Sequence, residues 1–458
     1  MTARSVFLFL LPLALTGAPT AADEAAAPRR LTVPYTQFTL PNGLRVVLHE
    51  DHSVPVVSVT VWYRVGSSRE KPGRTGFAHL FEHLMFEGSG HVKEGEFDIL
   101  LEGAGGENNG STNNDRTNYY ITVPSNAVDL ALFLESDRMG YLLDAMSPAK
   151  VDGQRDVVKN ERRQGIENQP YGTASVVFRE MLFPEEHPYH WPTIGYMEDL
   201  TAASYEDVVE FFKQYYGPNN ATLVVAGDID PAQVRLAIEK WFGDVTRGPD
   251  VPVVTPQPVR LSAVERRTIT DRVQLPRLYL GWISPPVYTP GDAALDAVAD
   301  VLAGGKSSRL HRRLVYELQI AQDVDAYQES GDLASSFAIV ATARPGHTLD
   351  EIKTVIDEEI ERLRQAPPEA VELERAVNGF EAAFYEGMER VGGFNGRANQ
   401  LNAYATRTGN PDFFAEDLAR YKALSPTDVQ AAVFTWLLAD RRVELSVVPQ
   451  DATQGQGR

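Results

Sequence analysis

Residues Ser204–Asp228 read SYEDVVEFFKQYYGPNNATLVVAGD, and Ser425–Pro449 read SPTDVQAAVFTWLLADRRVELSVVP. Both run Ser-x-x-Asp-Val, then an amphipathic helical pattern, a polar turn and a Val-rich strand. Asp207 and Asp428 are equivalent, an offset of 428 − 207 = 221 residues. Further upstream, NYYITVPSNAVDLALFLESDRM (Asn118–Met139) is echoed by SFAIVATARPGHTLDEIKTVIDEEI (Ser336–Ile360). Self-similarity over most of a chain marks a duplicated unit. The expectation is two related halves, 31–245 and 261–450. Between them, 246–260 carries Pro249, Pro252, Pro256 and Pro258 and reads as an extended linker.

Each half mixes strands with long helices. TQFTLPNGLRVVLHE places two strand-like runs around Asn42-Gly43, a hairpin signal. Val57, Val59 and Val61 alternate as in a half-buried strand, and TNYYITVP (Thr117–Pro124) and Ala221–Ile229 read as further strands. Helical patterns cover Gly76–Glu87, Ala127–Leu143, Val151–Asn168 and Tyr205–Tyr215. The predicted fold class is α+β, each half a mostly antiparallel sheet packed with helices.

The chain has 458 residues and a formal net charge of −20, which opposes binding to a polyphosphate backbone; no nucleic-acid partner is expected. It has no cysteine, so disulfides and thiolate ligands are excluded and any metal must be held by His, Asp or Glu. One arginine, Arg4, precedes an apolar run from Val6 to Leu15 and then small residues. That pattern is a secretory signal, residues 1–22, with a retained anchor as the alternative. No other segment has the apolar length of a membrane span. The mature chain is expected to be exported, periplasmic or extracellular, with no stable span.

FAHLFEHLMFEGSG (Phe77–Gly90) concentrates His79, Glu82 and His83 in a chain with nine histidines. On a helix, Phe77, Leu80, Phe81, Leu84 and Met85 form an apolar stripe, and His79, Glu82, His83 and Phe86 another. Two imidazoles one turn apart can reach one ion. A metal ion acidifies a water in its coordination sphere, and a neighbouring carboxylate can take the proton, a role that falls to Glu82. The ordinary alternative is a polar helix face. A catalytic zinc needs a third protein ligand. The helix VDGQRDVVKNERRQGIENQ offers Glu161, on a stripe with Gln154, Val157 and Val158, or Glu167 near its end. The flanking prolines of HPYHWPT make His187 and His190 loop histidines rather than a second metal site.

His-x-x-Glu-His is the inverted zinc motif of the inverzincins. The chain resembles the pitrilysin family, which includes mitochondrial processing peptidase, insulin-degrading enzyme and bacterial periplasmic relatives. The resemblance rests on LPNGLRVVL, GRTGFAHLFEHLMFEGS, GGENNGSTNNDRTNYYITVP, QRDVVKNERRQ, HPYHWPTIGYMEDL and VVAGD. It implies one Zn²⁺ per chain, held by His79, His83 and Glu161, with Glu82 as general base. It implies a zinc-dependent endopeptidase acting on unfolded peptides or small polypeptides inside a chamber. It also implies that Asn109, Gly110 and Thr112 lie on an edge strand to which substrate adds as a further strand.

Three positions depart from the family pattern. Gln154 stands where a second Glu often supports the ligands. Gly110 stands where Ala is usual. In the second half, Val315 and Gln322 stand where members that act alone carry an Arg and a Tyr. Arg309 and Tyr316 have the right spacing but lie about two turns early. The resemblance therefore implies a zinc-bearing subunit that works with a related, zinc-lacking partner supplying the Arg/Tyr pair, or a homodimer. The competing readings are a non-catalytic structural or peptide-binding subunit and a zinc hydrolase that is not a peptidase.

Overall fold

The two quoted stretches fold alike. In a computed structural model describing residues 31–255 and 259–450, Tyr205–Tyr215 and Pro426–Trp436 are helices. Each opens on the same reciprocal cap. Ser204 Oγ accepts from the Asp207 amide and Asp207 Oδ2 accepts from the Ser204 amide, both at 3.1 Å; Ser425 and Asp428 repeat the exchange at 3.3 and 2.8 Å. Strands Ala221–Gly227 and Val443–Pro449 follow. The signal segment, Pro256, Gln257 and Pro258 of the linker, and residues 451–458 lie outside the described residues.

The first sheet contains β1 (Thr36–Thr39), β2 (Arg45–Glu50), β3 (Val56–Tyr63), β4 (Glu107–Thr112), β5 (Thr117–Pro124) and β6 (Ala221–Gly227), in the order β1-β2-β6-β3-β5-β4. The second contains β7 (Glu265–Asp271), β8 (Arg277–Ser284), β9 (Ala321–Glu329), β10 (Ser335–Ala343) and β11 (Val443–Pro449), in the order β7-β11-β8-β10-β9. Without β1 the two orders coincide strand for strand. The single parallel pairing also recurs, β2 with β6 and β7 with β11, while all other pairs are antiparallel. The α+β duplication expected from the sequence is the observed architecture. Residues 246–255 and 259–264 carry neither helix nor strand.

The strand β3 differs from its expected half-buried state. Val57, Val59 and Val61 enter the first core, yet Ser58, Thr60 and Trp62 on the opposite face are also buried. The cover comes from the other half. Helix Arg397–Arg407 lies on β3 and β6, where Asn402 Nδ2 donates to the Thr60 and Thr222 carbonyls at 3.0 Å and Trp62 Nε1 donates to Asn399 Oδ1 at 2.6 Å.

The exchange is reciprocal. Helix Gly172–Leu182, which precedes the linker, packs on β8 and β11 of the second sheet. Phe178, Met181, Tyr279, Val443 and Leu445 share one buried cluster there. Gly281 makes room for it, since a Cβ at that position would stand 2.4 Å from Phe178 Cζ. Each large apolar side chain buried in this way contributes about 1.5–3 kcal/mol.

Candidate metal centre

Helix Phe77–Leu84 carries the histidine motif. Its expected apolar stripe is buried: Phe77, Leu80, Phe81, Leu84 and Met85 are at most 2% exposed. Phe81 stacks on Phe211 with ring centroids 5.6 Å apart. The helix begins after Gly76, whose φ of 88° is a left-handed conformation that favours glycine. Its first amides are satisfied by Glu70, which accepts from Gly76 N at 2.9 Å and Ala78 N at 2.8 Å. Glu70 is buried, and burial raises its pKa to about 8. No pattern in the sequence singled out Glu70, because it caps from a short 3-10 turn without periodicity.

The second helix is Pro148–Arg162, capped by Ser147 with Pro148 at its first turn. The helical pattern was expected to run to Asn168. Instead the last turn widens to π geometry over Arg163–Glu167, a stretch that contains Gly165, and Arg162 Nη1 anchors it on the Gly195 carbonyl at 2.6 Å. Val158 is fully buried and Gln154 half-buried, but Val157 is 45% exposed and so is not on the inward side; Glu161 is also exposed, at the end of the helix that faces the two histidines.

These two helices bring His79, His83 and Glu161 together. Glu161 Oε2 lies 3.7 Å from His79 Nε2 and 3.3 Å from His83 Nε2. Among the described residues this is the only group of three or more His, Asp or Glu side chains that could hold a metal. Ligand atoms about 2 Å from a tetrahedral ion stand about 3.3 Å apart, so the donor set and its spacing fit zinc. Burial, with His83 adding repulsion, pushes His79 down to about 4, which keeps it neutral and ligand-competent. His83 is held above the ordinary value: burial opposes its charge, but the hydrogen bond and charge of Glu161 outweigh that. The same bond to His83 holds Glu161 low. Glu167 ends apart from this group, on Arg162 at 3.4 Å. His187 and His190 also stay out of it: Tyr189 N donates to His187 Nδ1 at 3.0 Å, and His190 Nδ1 meets the Phe183 carbonyl at 2.7 Å.

Glu82 points from the motif helix toward β4. Its Oε2 accepts from Thr112 Oγ1 at 2.7 Å, and burial raises its pKa above 4.5, which makes it a stronger base. The strand β4 is the terminal strand of its sheet, with only β5 beside it. Asn109 Oδ1 accepts from the Gly110 amide at 2.8 Å. Gly110 lies against the base: a Cβ there would stand 3.1 Å from Glu82 Cγ and from the Tyr119 ring.

Gln154 Nε2 donates to Glu87 Oε1 at 2.6 Å. Glu87 is among the charges that raise the pKa of His83. Near the ligands, the negative charge that Gln154 lacks is thus carried by Glu87, a residue the sequence reading did not single out. In the second half, Arg309 binds Glu372 through two bonds of 2.8 and 2.6 Å, and Tyr316 is exposed. Val315 packs beside the second core, and Gln322 is exposed on β9.

The wider comparisons fit this geometry. Residues 45–181 match the family described as Insulinase (Peptidase family M16), and residues 202–380 match the Peptidase M16 inactive domain. The zinc protease PqqE of Helicobacter pylori is 31% identical over 359 residues, covering 78% of this chain and 80% of that protein. A probable mitochondrial-processing peptidase subunit beta of Arabidopsis thaliana is 25% identical over 402 residues, covering 84% of this chain and 74% of that one. The crystal structure of a protease from Helicobacter pylori superposes with a TM-score of 0.85 at 26% identity, covering 92% of this chain and all of that one. The chain belongs to peptidase family M16. A periplasmic protease of Escherichia coli, PqqL, shares the fold at a TM-score of 0.74 and 17% identity, and this chain covers 49% of it. Among the described residues no helix is long and apolar enough to cross a membrane.

Proposed function

We propose that the chain is a zinc-dependent endopeptidase that cleaves extended polypeptide, with one Zn²⁺ held by His79, His83 and Glu161. The observation that carries this is the placement of the Glu82 carboxylate, held by Thr112, between that donor cluster and the free edge of β4. Zinc, when bound, supplies Lewis acidity for polarising the scissile carbonyl and acidifying water. Glu82 takes the proton of the attacking water and passes it to the leaving amine nitrogen. The edge of β4, at Asn109, Gly110 and Thr112, orients substrate by main-chain pairing, which makes sequence selectivity loose. Gln154 holds Glu87, whose charge acts on His83. The names of the relatives support the same chemistry.

The proposal extends to assembly and address. The chain is the zinc-bearing subunit of a two-subunit peptidase, exported to the periplasm or beyond, with substrate enclosed between paired halves. The engagement of Arg309 by Glu372 supports a partner-supplied Arg/Tyr pair, because that arginine is not free to meet substrate. The test is metal analysis with a quenched-peptide assay on wild type and Glu82→Gln. Zinc retained with activity lost is expected; equal activity in Glu82→Gln removes Glu82 from the role of base. Full activity of the isolated chain, abolished by Tyr316→Phe, would sink the two-subunit reading.

A further inference from the structure

A cavity of about 350 Å³ lies where the two halves meet, and none of His79, Glu82, His83 or Glu161 lines it. Its wall carries four guanidinium groups, from Arg64, Arg69, Arg116 and Arg407, against two carboxylates, Asp115 and Asp332. Of these four, only Arg407 has a carboxylate within ion-pair reach among the described residues, Asp332 at 2.9 Å. The other three meet neutral acceptors. Arg64 donates to the Thr406 carbonyl, Arg69 to the Pro252 carbonyl, and Arg116 to the Ser111 carbonyl and hydroxyl at 2.7 Å. Arg116 Nε is buried without a hydrogen-bond partner.

The aspartates do not balance this charge. Asp115 accepts from the Tyr189 hydroxyl and from the Asp332 amide, and Asp332 is taken by Arg407. Burial, then repulsion from Arg407, pulls Arg116 down to about 10, and burial followed by Arg45 lowers Arg64. Arg116 and Arg407 both stand over the Trp62 ring, 5.3 and 5.9 Å from its centroid. The chain holds 63 Asp and Glu against 43 Lys and Arg, so a shortage of carboxylates does not explain three unpaired guanidinium groups in one cavity. Arg64 is exposed and Arg69 and Arg116 are half-buried, so an anion can reach all three, and the arginine fork matches carboxylate and phosphoryl oxygens two at a time.

We propose that this cavity is an oxyanion site that takes a pair of carboxylates or a phosphoryl dianion. The group comes either from a free small anion or from an acidic polypeptide segment lying between the halves. The site stands on the arginines alone and does not depend on the metal centre.

The test is calorimetric titration of the zinc-loaded full chain with sodium sulfate, with sodium chloride at matched ionic strength as reference. Saturable sulfate binding that weakens at least tenfold in Arg64→Gln and in Arg69→Gln is expected. In the wild type, the melting temperature should rise along a saturating curve at low millimolar sulfate, below the range where sulfate stabilises folded proteins generally, a readout that stands even if a variant fails to fold; a rise that is only linear in sulfate counts against the site. No saturable binding, or equal affinity in folded variants, overturns the proposal. A second arm displaces sulfate from the Glu82→Gln chain with two equal-length, C-terminally amidated peptides, one ending in two glutamates and one in two glutamines. Displacement by the glutamate peptide alone assigns the anion to a polypeptide, and displacement by neither assigns it to a free oxyanion. Equal displacement by both shows that charge is not what the cavity reads and counts against the site. No arm requires turnover, so its failure and failure of the peptidase reading are separate results.

Discussion

The Thr112 hydroxyl donates to Glu82 Oε2 at 2.7 Å, across the gap between an edge strand and the motif helix. A bond to the carboxylate favours its charged form, opposing the burial that raises its pKa. Thr112→Val should lower kcat about tenfold to a hundredfold, the worth of one charge-assisted hydrogen bond. It should also move the acidic limb of the pH–rate profile to higher pH, while Thr112→Ser restores both. An unmoved acidic limb would detach Thr112 from the base.

Zinc binding should be proton-linked through His83. Its pKa lies above 6.5 in the metal-free site, because Glu161 holds the imidazolium. Zinc must displace that proton, so apparent affinity should begin to fall at a pH above 6.5 as the solution is acidified. His79, already down at about 4, contributes nothing in that range. In Glu161→Gln the onset should move to lower pH and the affinity should drop at least tenfold, read by chelator competition.

Gly110→Ala places a methyl 3.1 Å from Glu82 Cγ. Overpacking of this kind costs about 1–3 kcal/mol and shifts the neighbour that yields most easily. Glu82 is that neighbour, since Tyr119 is fully buried. The expected result is zinc content unchanged and kcat reduced several-fold. Wild-type kcat in this variant would mean that β4 yields instead.

Burial, with a smaller effect of His190, pushes His187 down to about 4. A depressed folded-state pKa contributes stability that is present above the unfolded value of 6.5 and lost as pH falls toward 4. In His187→Asn the acceptor for Tyr189 N is kept and the titration is removed. Melting temperatures of zinc-free protein should therefore fall less steeply between these pH values in His187→Asn than in wild type. Equal slopes would assign the acid sensitivity elsewhere.

What the sequence disclosed follows from distance along the chain. His79, Glu82 and His83 share one helix, so their geometry is fixed by its period. The duplication was legible because Asp207 and Asp428 cap equivalent helices. Glu161 was identified through family resemblance, since spacing alone left Glu167 open. The bond from Thr112 to Glu82 needs a strand laid against a helix 30 residues away. The two-sided burial of β3 needs Asn402, 342 residues from Thr60, and no local alternation encodes that. Glu87 escaped notice because it lies past the end of the motif helix and its partner Gln154 is 67 residues away on the next ligand-bearing helix.

The helices traded between the sheets have a mechanical consequence. Each half wears a piece of the other, so prising them apart strips two sheet faces at once. Cutting the backbone within 246–255 should therefore release no fragment: the nicked chain should elute as one particle and melt as one cooperative unit. The proline-rich segment is a tether between two bodies that are already clasped.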